Sequence, residues 1–151
     1  MRRLDLRSLR FGGSSEVALR LPVDVAPFTI GGLEYAVGDG LVEIDLKASR
    51  VGGRLTLRAL GEATISGSCQ RCLEDAVVPV VVECEDYVDE GRSEGDDEVE
   101  RYTSGGVVDL ERWVRDALAA GLPGRIVCRE DCRGLCPRCG ANLNEAGAHG
   151  H

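Results

Sequence analysis

Aromatic side chains make up only 4% of the 151 residues, and histidine occurs twice, both at the very end as His149 and His151. A core short of Phe, Trp and Tyr must be built from Val, Leu and Ala. Together with many glycines, that favours strands and tight turns over a helix bundle. With both imidazoles at the C-terminus, no histidine base can stand in the middle of the fold. No Ser-His-Asp set, phosphate-binding loop or paired-carboxylate constellation is visible, so the reading is of a protein that is not an enzyme and has no small-molecule substrate. Long apolar runs are missing too: the longest, around Val77 to Val82, is too short to span a bilayer, and Met1 to Arg7 has no apolar signal region. No membrane role is expected, and the cytoplasm is the expected location.

Lysine is nearly absent: of 18 basic residues only Lys47 is not arginine. Arginine is the better fork for phosphate, although a GC-rich genome also favours it. The net charge of -8 is unevenly spread. Residues 83–100 hold ten acids against Arg92 alone, and the remainder carries about as many bases as acids. A solvated, acidic loop is expected at 89–101, dispensable for folding.

What the chain does have is alternation. Arg2 to Phe11 alternates basic and apolar residues and suggests a first strand; Glu16 to Leu21 suggests another, stopped at Pro22. Val23 to Val37 reads as irregular, broken by Pro27 and Gly31-Gly32. Leu41 to Lys47 alternates again, and Gly52-Gly53 predicts a hairpin turn into Arg54 to Gly61. The strand from Ala76 to Val88 puts Val78, Val80, Val82 and Cys84 on one face, which makes Cys84 a core thiol, and Pro79 marks an edge or a bulge. Cys69 and Cys72 then fall at the tip of a long hairpin, a place that presents thiols rather than burying them. Asp109 can cap one clear helix, 109–120, with Leu110, Trp113, Val114, Ala117 and Leu118 in an apolar stripe and Gly121 and Pro123 ending it. The expected fold is therefore α+β: mainly antiparallel strands with one C-terminal helix in a unit spanning 1–123, and a zinc-knuckle-like, cysteine-rich metal-binding segment at 124–151.

Seven cysteines are an odd number, which forbids a complete disulfide set, and reduced thiols at short spacing point to metal. Cys128, Cys132, Cys136 and Cys139 lie within twelve residues. Cys136-Pro-Arg-Cys139-Gly140 reads as a knuckle, in which two thiolates grip one cation and the glycine lets the backbone fold beneath it. Three ligand sets fit a tetrahedral ion. The first choice is the local one of Cys128, Cys132, Cys136 and Cys139. The second pairs Cys136 and Cys139 with Cys69 and Cys72, and the third pairs them with His149 and His151. One zinc ion is expected, with an iron–sulfur cluster as the second choice.

The blocks Ser68-Cys69-Gln70-Arg71-Cys72-Leu73, then Asp109-Leu110 with Arg115-Asp116-Ala117-Leu118 and Leu122-Pro123, then Cys132-Arg-Gly-Leu-Cys136-Pro-Arg-Cys139-Gly-Ala-Asn-Leu-Asn144, together resemble the bacterial YceD family, the large ribosomal RNA subunit accumulation proteins. They cover the chain from about Ser68 to Asn144. The resemblance implies a role in accumulation or processing of 23S ribosomal RNA and in large-subunit assembly, with no established catalytic residue. Many relatives carry a further Cys-x-Cys after the Asn-Leu-Asn segment, where this chain has His149-Gly150-His151. The partner implied is a ribosomal RNA precursor or a large-subunit ribosomal protein. Arg71, Arg129, Arg133 and Arg138, grouped around the cysteines, are the expected nucleic-acid contacts. Two other readings stand beside it: a thiol oxidoreductase using Cys69 and Cys72, and a zinc-stabilised protein-interaction module.

Overall fold

Alternation carries directly into strands. In a computed structural model describing residues 1–89 and 101–146, Leu41–Val51 (β5) buries Val42, Ile44, Leu46 and Ala48 and exposes the residues between them. That is the period-two pattern of a sheet with one covered face. β5 turns at Gly52-Gly53 into Arg54–Ser68 (β6), with Val51 opposite Arg54. Both glycines have positive φ, as the hairpin turn requires.

β6 is the spine. Glu16–Asp24 (β2) pairs with β5, and Leu33–Val37 (β4) takes over beside β6 where β5 leaves it; Phe28–Ile30 (β3) pairs with β4. On its other side β6 pairs along its whole length with Asp75–Asp89 (β7), in unbroken register from Arg54 opposite Asp89 to Ser68 opposite Asp75. The six-stranded antiparallel sheet is thus completed by a long hairpin whose tip carries Cys69 and Cys72. Among the described residues β7 pairs with no other strand, the edge position that Pro79 announces.

A small second sheet joins Arg3–Asp5 (β1), Val107–Asp109 (β9) and Thr103–Ser104 (β8). The strand expected across Arg2 to Phe11 is therefore short. It gives way to a 3-10 turn at Leu6–Ser8, because the Asp5 carboxylate accepts from the Arg7 amide and caps that turn. The region read as irregular, Val23 to Val37, holds two strands around the Gly31-Gly32 turn. Here sheet pairing overrides weak local signals.

Leu110–Gly121 (α1) follows, capped as expected by Asp109, whose carboxylate accepts from the Arg112 amide at 3.1 Å. Its buried stripe of Leu110, Trp113, Val114 and Leu118 packs on β7 and β2. Arg115 pins it further, donating to the carbonyls of Ala26 and Pro27 at 2.9 and 3.2 Å and stacking on Phe28. Trp113 is a core residue, 2% exposed. Burial lifts the thiol of Cys84, half-buried on the inner face of β7, to about 11, with the Asp86 charge adding to the effect. A one-turn helix at Leu143–Ala146 (α2), not expected from the sequence, ends the described chain. The acidic segment beyond Asp89 and the tail histidines lie outside the described residues. No helix of the described chain is long and apolar enough to cross a membrane.

Gly67 matters for the hairpin tip. A Cβ there would lie 2.8 Å from Cε1 of Tyr35, and Tyr35 anchors the end of β6 by donating its hydroxyl to the Ser68 carbonyl at 2.6 Å. Gly67→Ala should lower stability by about 1–3 kcal/mol through overpacking. A chemical-denaturation midpoint at fixed metal content checks this, with Gly124→Ala, which has open space around it, leaving the midpoint unchanged.

Candidate metal centre

The hairpin tip is a tight turn before anything is bound to it. The Cys69 amide donates to the Glu74 carbonyl at 2.7 Å and the Leu73 amide to the Cys69 carbonyl at 2.9 Å. Leu73 takes a left-handed conformation, φ 64°, a strained choice for a branched residue. The turn holds the Arg71 amide 3.4 Å from the Cys69 sulfur.

Onto this tip folds the segment that follows α1. Gln70 makes a two-way clamp with Ile126: its amide donates to the Ile126 carbonyl, and its side-chain oxygen accepts from the Ile126 amide, both at 2.8 Å. Ile126 itself is 1% exposed. The clamp brings Cys128 and Cys132 over the tip. Cys69 and Cys132 then have sulfurs 3.7 Å apart, and Cys72 and Cys128 have sulfurs 3.6 Å apart. All four sulfurs lie within 4.8 Å of one another. A tetrahedral ion with metal–sulfur bonds of about 2.3 Å sets sulfur–sulfur distances of roughly 3.8 Å, so the donor set fits one zinc-sized ion.

Supporting contacts surround the sulfurs. Asn144 donates its side-chain amide to the Cys132 sulfur at 3.3 Å, while its oxygen accepts from the Arg133 amide at 2.8 Å. The Arg71 guanidinium donates to the Cys132 carbonyl at 2.9 Å. Amide donors of this kind orient ligands and disperse the negative charge of four thiolates.

The same contacts divide the thiols into two kinds. Burial works against the Cys69 thiolate, but the backbone amides of Cys72, Arg71 and Cys128 outweigh it and pull Cys69 down to about 6. The Asn144 amide leads the forces that lower Cys132. Cys72 is raised: the Glu74 amide lowers it, but burial and the neighbouring thiols of Cys69 and Cys132 prevail. Cys128 is pushed up to about 12, by burial first and then by the thiols of Cys72, Cys132 and Cys69. Four sulfurs this close cannot all ionise without a cation among them.

The fold thus draws on two sequence-level ligand sets and completes neither. It takes Cys128 and Cys132 from the local set and Cys69 and Cys72 from the alternates. Cys136 and Cys139, common to every set considered, are not in the group of four. The chain turns away after Cys132 at Gly134, φ 79°, which lies against the backbone of Arg71. The hairpin tip supplies the two sulfurs beside Cys128 and Cys132 instead. Cys136 and Cys139 nonetheless bracket a knuckle turn, with the Gly140 amide donating to the Cys136 carbonyl and the Cys136 amide to the Ala141 carbonyl, both at 2.8 Å. His149 and His151 lie outside the described residues. The tip does not present its thiols either: Cys69 is 0% and Cys72 3% exposed, because the C-terminal segment covers them. Of the expected nucleic-acid contacts, Arg71 is engaged on Cys132 and Arg129 pairs with Asp131 at 3.3 Å. Arg133 and Arg138 are exposed. Sequence reading gave no role to Gln70, Ile126 or Asn144; Gln70 and Asn144 sit inside the motif blocks, which was the available signal.

Comparison with known proteins agrees with the position of these blocks. A relative from Mycobacterium tuberculosis, described only as an uncharacterized protein, is 34% identical over 132 residues, 83% of this chain, and so is one from Mycobacterium bovis. A shorter match, 44% over 46 residues, reaches an uncharacterized protein of Mycobacterium leprae. The chain spans 63% of the length of the first two relatives. No solved structure matches. The family model described as large ribosomal RNA subunit accumulation protein YceD matches residues 57–151, the part that contains most of the hairpin, α1 and all seven cysteines. On that match, the chain belongs to the YceD family.

Proposed function

We propose that Cys69, Cys72, Cys128 and Cys132 hold a single structural zinc ion. We propose further that the protein, so fastened, supports maturation of the large ribosomal subunit without catalysis, by contacting its precursor RNA or an early ribosomal protein. The observation that carries the metal reading is the sulfur quartet, with partners 3.6 and 3.7 Å apart. That is the spacing of one ion rather than of a multi-iron cluster, and all four positions come from protein, the mark of a structural site. Burial of Cys69 and Cys72 under the C-terminal segment argues against a thiol oxidoreductase, whose attacking sulfur needs access.

The family description supports the ribosomal reading. In it, the metal fixes the short loops that display Arg133 and Arg138, for which no ion pair is found among the described residues. Arginines already held in place meet phosphates with little ordering cost, and their contacts release counterions. Arg71 and Arg129 contribute less directly, since each already has a partner within the segment.

Elemental analysis of protein prepared under reducing, metal-replete conditions should find zinc, and Cys69→Ser should release it and loosen the segment after Leu122. Cys136→Ser should keep one ion. A fall from two ions to one in Cys136→Ser would assign a second ion to the Cys136–Cys139 knuckle. Retention of all metal by Cys69→Ser would end the quartet reading. Because Cys72 and Cys128 are raised while Cys69 is already a thiolate near neutral pH, loading the metal-free protein at pH 7.5 should release at least about two protons, one each from Cys72 and Cys128. Calorimetry in buffers of different ionisation enthalpy measures that number.

RNA retained on protein purified from cells should wash off as salt rises, and Arg133→Ala with Arg138→Ala should weaken retention while metal content holds. The same change at Arg20 and Arg50, on the large sheet, serves as comparison. Equal loss from both pairs would mean diffuse charge rather than a site. No effect of gene deletion on large-subunit RNA, together with no retained RNA, would leave a protein-interaction module as the better reading.

A further inference from the structure

Among the described residues, no strand pairs with the side of β7 that faces away from β6. The Thr64 carbonyl accepts from the Gly38 amide at 2.7 Å, so Thr64 turns its backbone groups toward the β4 side of β6 and away from β7. Thr64 and Pro79 are therefore a non-hydrogen-bonded pair in the β6–β7 ladder. Pro79, with no amide hydrogen to give, points outward, and so does every second residue from Asp75 to Asp89. Gly121, at the end of α1, covers this edge near the Val81 carbonyl. Beyond it, the outward groups of Glu83, Glu85 and Tyr87 have no backbone partner among the described residues.

An unguarded edge is a template for another strand, and the charges on this one select what can add. Glu83, Glu85, Asp86 and Asp89 stand on the stretch, with no base on β7 itself. Arg58 and Arg54 on β6 answer only Glu83 and Asp89, at 3.4 and 3.2 Å. Glu85 accepts from the Tyr87 hydroxyl at 2.7 Å, and one oxygen of the inward-facing Asp86 is buried without a hydrogen-bond partner. Among the described residues, two carboxylates thus lack a cation. Tyr87 offers apolar surface beside them, 50% exposed.

We propose that the β7 edge from Glu83 to Asp89 is a docking strand that takes an extended, arginine- or lysine-rich protein segment by β-addition. Main-chain hydrogen bonds to Glu83, Glu85 and Tyr87 supply affinity, and basic side chains opposite the carboxylates supply selectivity. A second copy of the same acidic edge would be repelled, as would RNA. The site lies at the far end of the hairpin from the four clustered cysteines, at least ~25 Å along the strand. It goes beyond the RNA-contact reading and stands or falls separately from it.

The probe is an end-blocked peptide of about ten residues alternating Arg and Val, titrated by fluorescence anisotropy into the full metal-loaded chain. Binding is expected, weakening as salt rises, with slowed amide exchange at Glu83, Glu85 and Tyr87. Methylating alternate backbone nitrogens of the peptide, which leaves the protein untouched, should weaken it by about tenfold. Tyr87→Pro, which removes an outward amide and spares the β6 ladder, should do the same while metal content is unchanged. The proposal is overturned by no binding, by a methylated peptide within about twofold of the parent, or by equal binding of a Glu-Val peptide. It is also overturned if single-stranded RNA alone protects those amides, or if self-association already protects them in the free protein. Loss of RNA retention in the arginine variants has no bearing on these outcomes.

Discussion

Four sulfurs drawn from two distant parts of the chain are the constraint on which the C-terminal third depends. Beyond α1 the described residues of that third have only a single turn of helix and one isolated bridge, Leu135 to Asn142. Among them the large buried groups are few: Ile126, Cys132 and Cys136. So little apolar area cannot offset the entropy of ordering some two dozen residues. An ion held there would close the loop between Cys72 and Cys128, 56 residues apart, and would contribute on the order of 4 kcal/mol by the chain-entropy argument used for disulfides. Direct ligand bonds would add to that. The Gln70–Ile126 clamp and the Asn144 contact to sulfur decide where the segment lands; on the proposed reading, an ion would decide whether it stays.

The sheet supplies the rigidity this arrangement needs. β6 is flanked by β7 along its entire length and by β5 and then β4 on the other side, so the tip is the end of a supported ribbon and not a free hairpin. Tyr35 and Gly67 fit against each other where the ribbon ends. A misplacement there moves two of the four sulfurs together, which ties packing in the N-terminal half to chemistry contributed by the C-terminal half.

Much of this was legible in the sequence because it is local. Period-two alternation marked β5, β6 and β7, Gly52-Gly53 marked their turn, Asp109 and the apolar stripe marked α1, and Pro79 marked an edge. The ligand set was less legible because it is not local. Cys136 and Cys139 have a knuckle's spacing, and spacing alone favours them. Which sulfurs share an ion depends on whether the segment after Leu122 folds back on the hairpin tip, and that is set by single contacts such as Gln70 with Ile126. Exposure of the tip was misjudged for the same reason: a hairpin end looks solvated until the chain that covers it is in place. The short strands β3 and β4 were missed because two glycines and a proline gave the stronger local signal.

The order of the ligands along the chain has a consequence during synthesis. Cys69 and Cys72 emerge from the ribosome before Cys128, 56 residues after Cys72, has been made. At about 5–20 residues per second, that leaves the hairpin tip uncovered for roughly 3–11 seconds. In that interval the two thiols are a bare Cys-x-x-Cys pair, with Cys69 free to be oxidised or to bind stray metal. The finished protein shields them with a segment that, at that moment, is not yet translated. Redox conditions and metal supply at the site of synthesis therefore bear on this chain more than on its folded product.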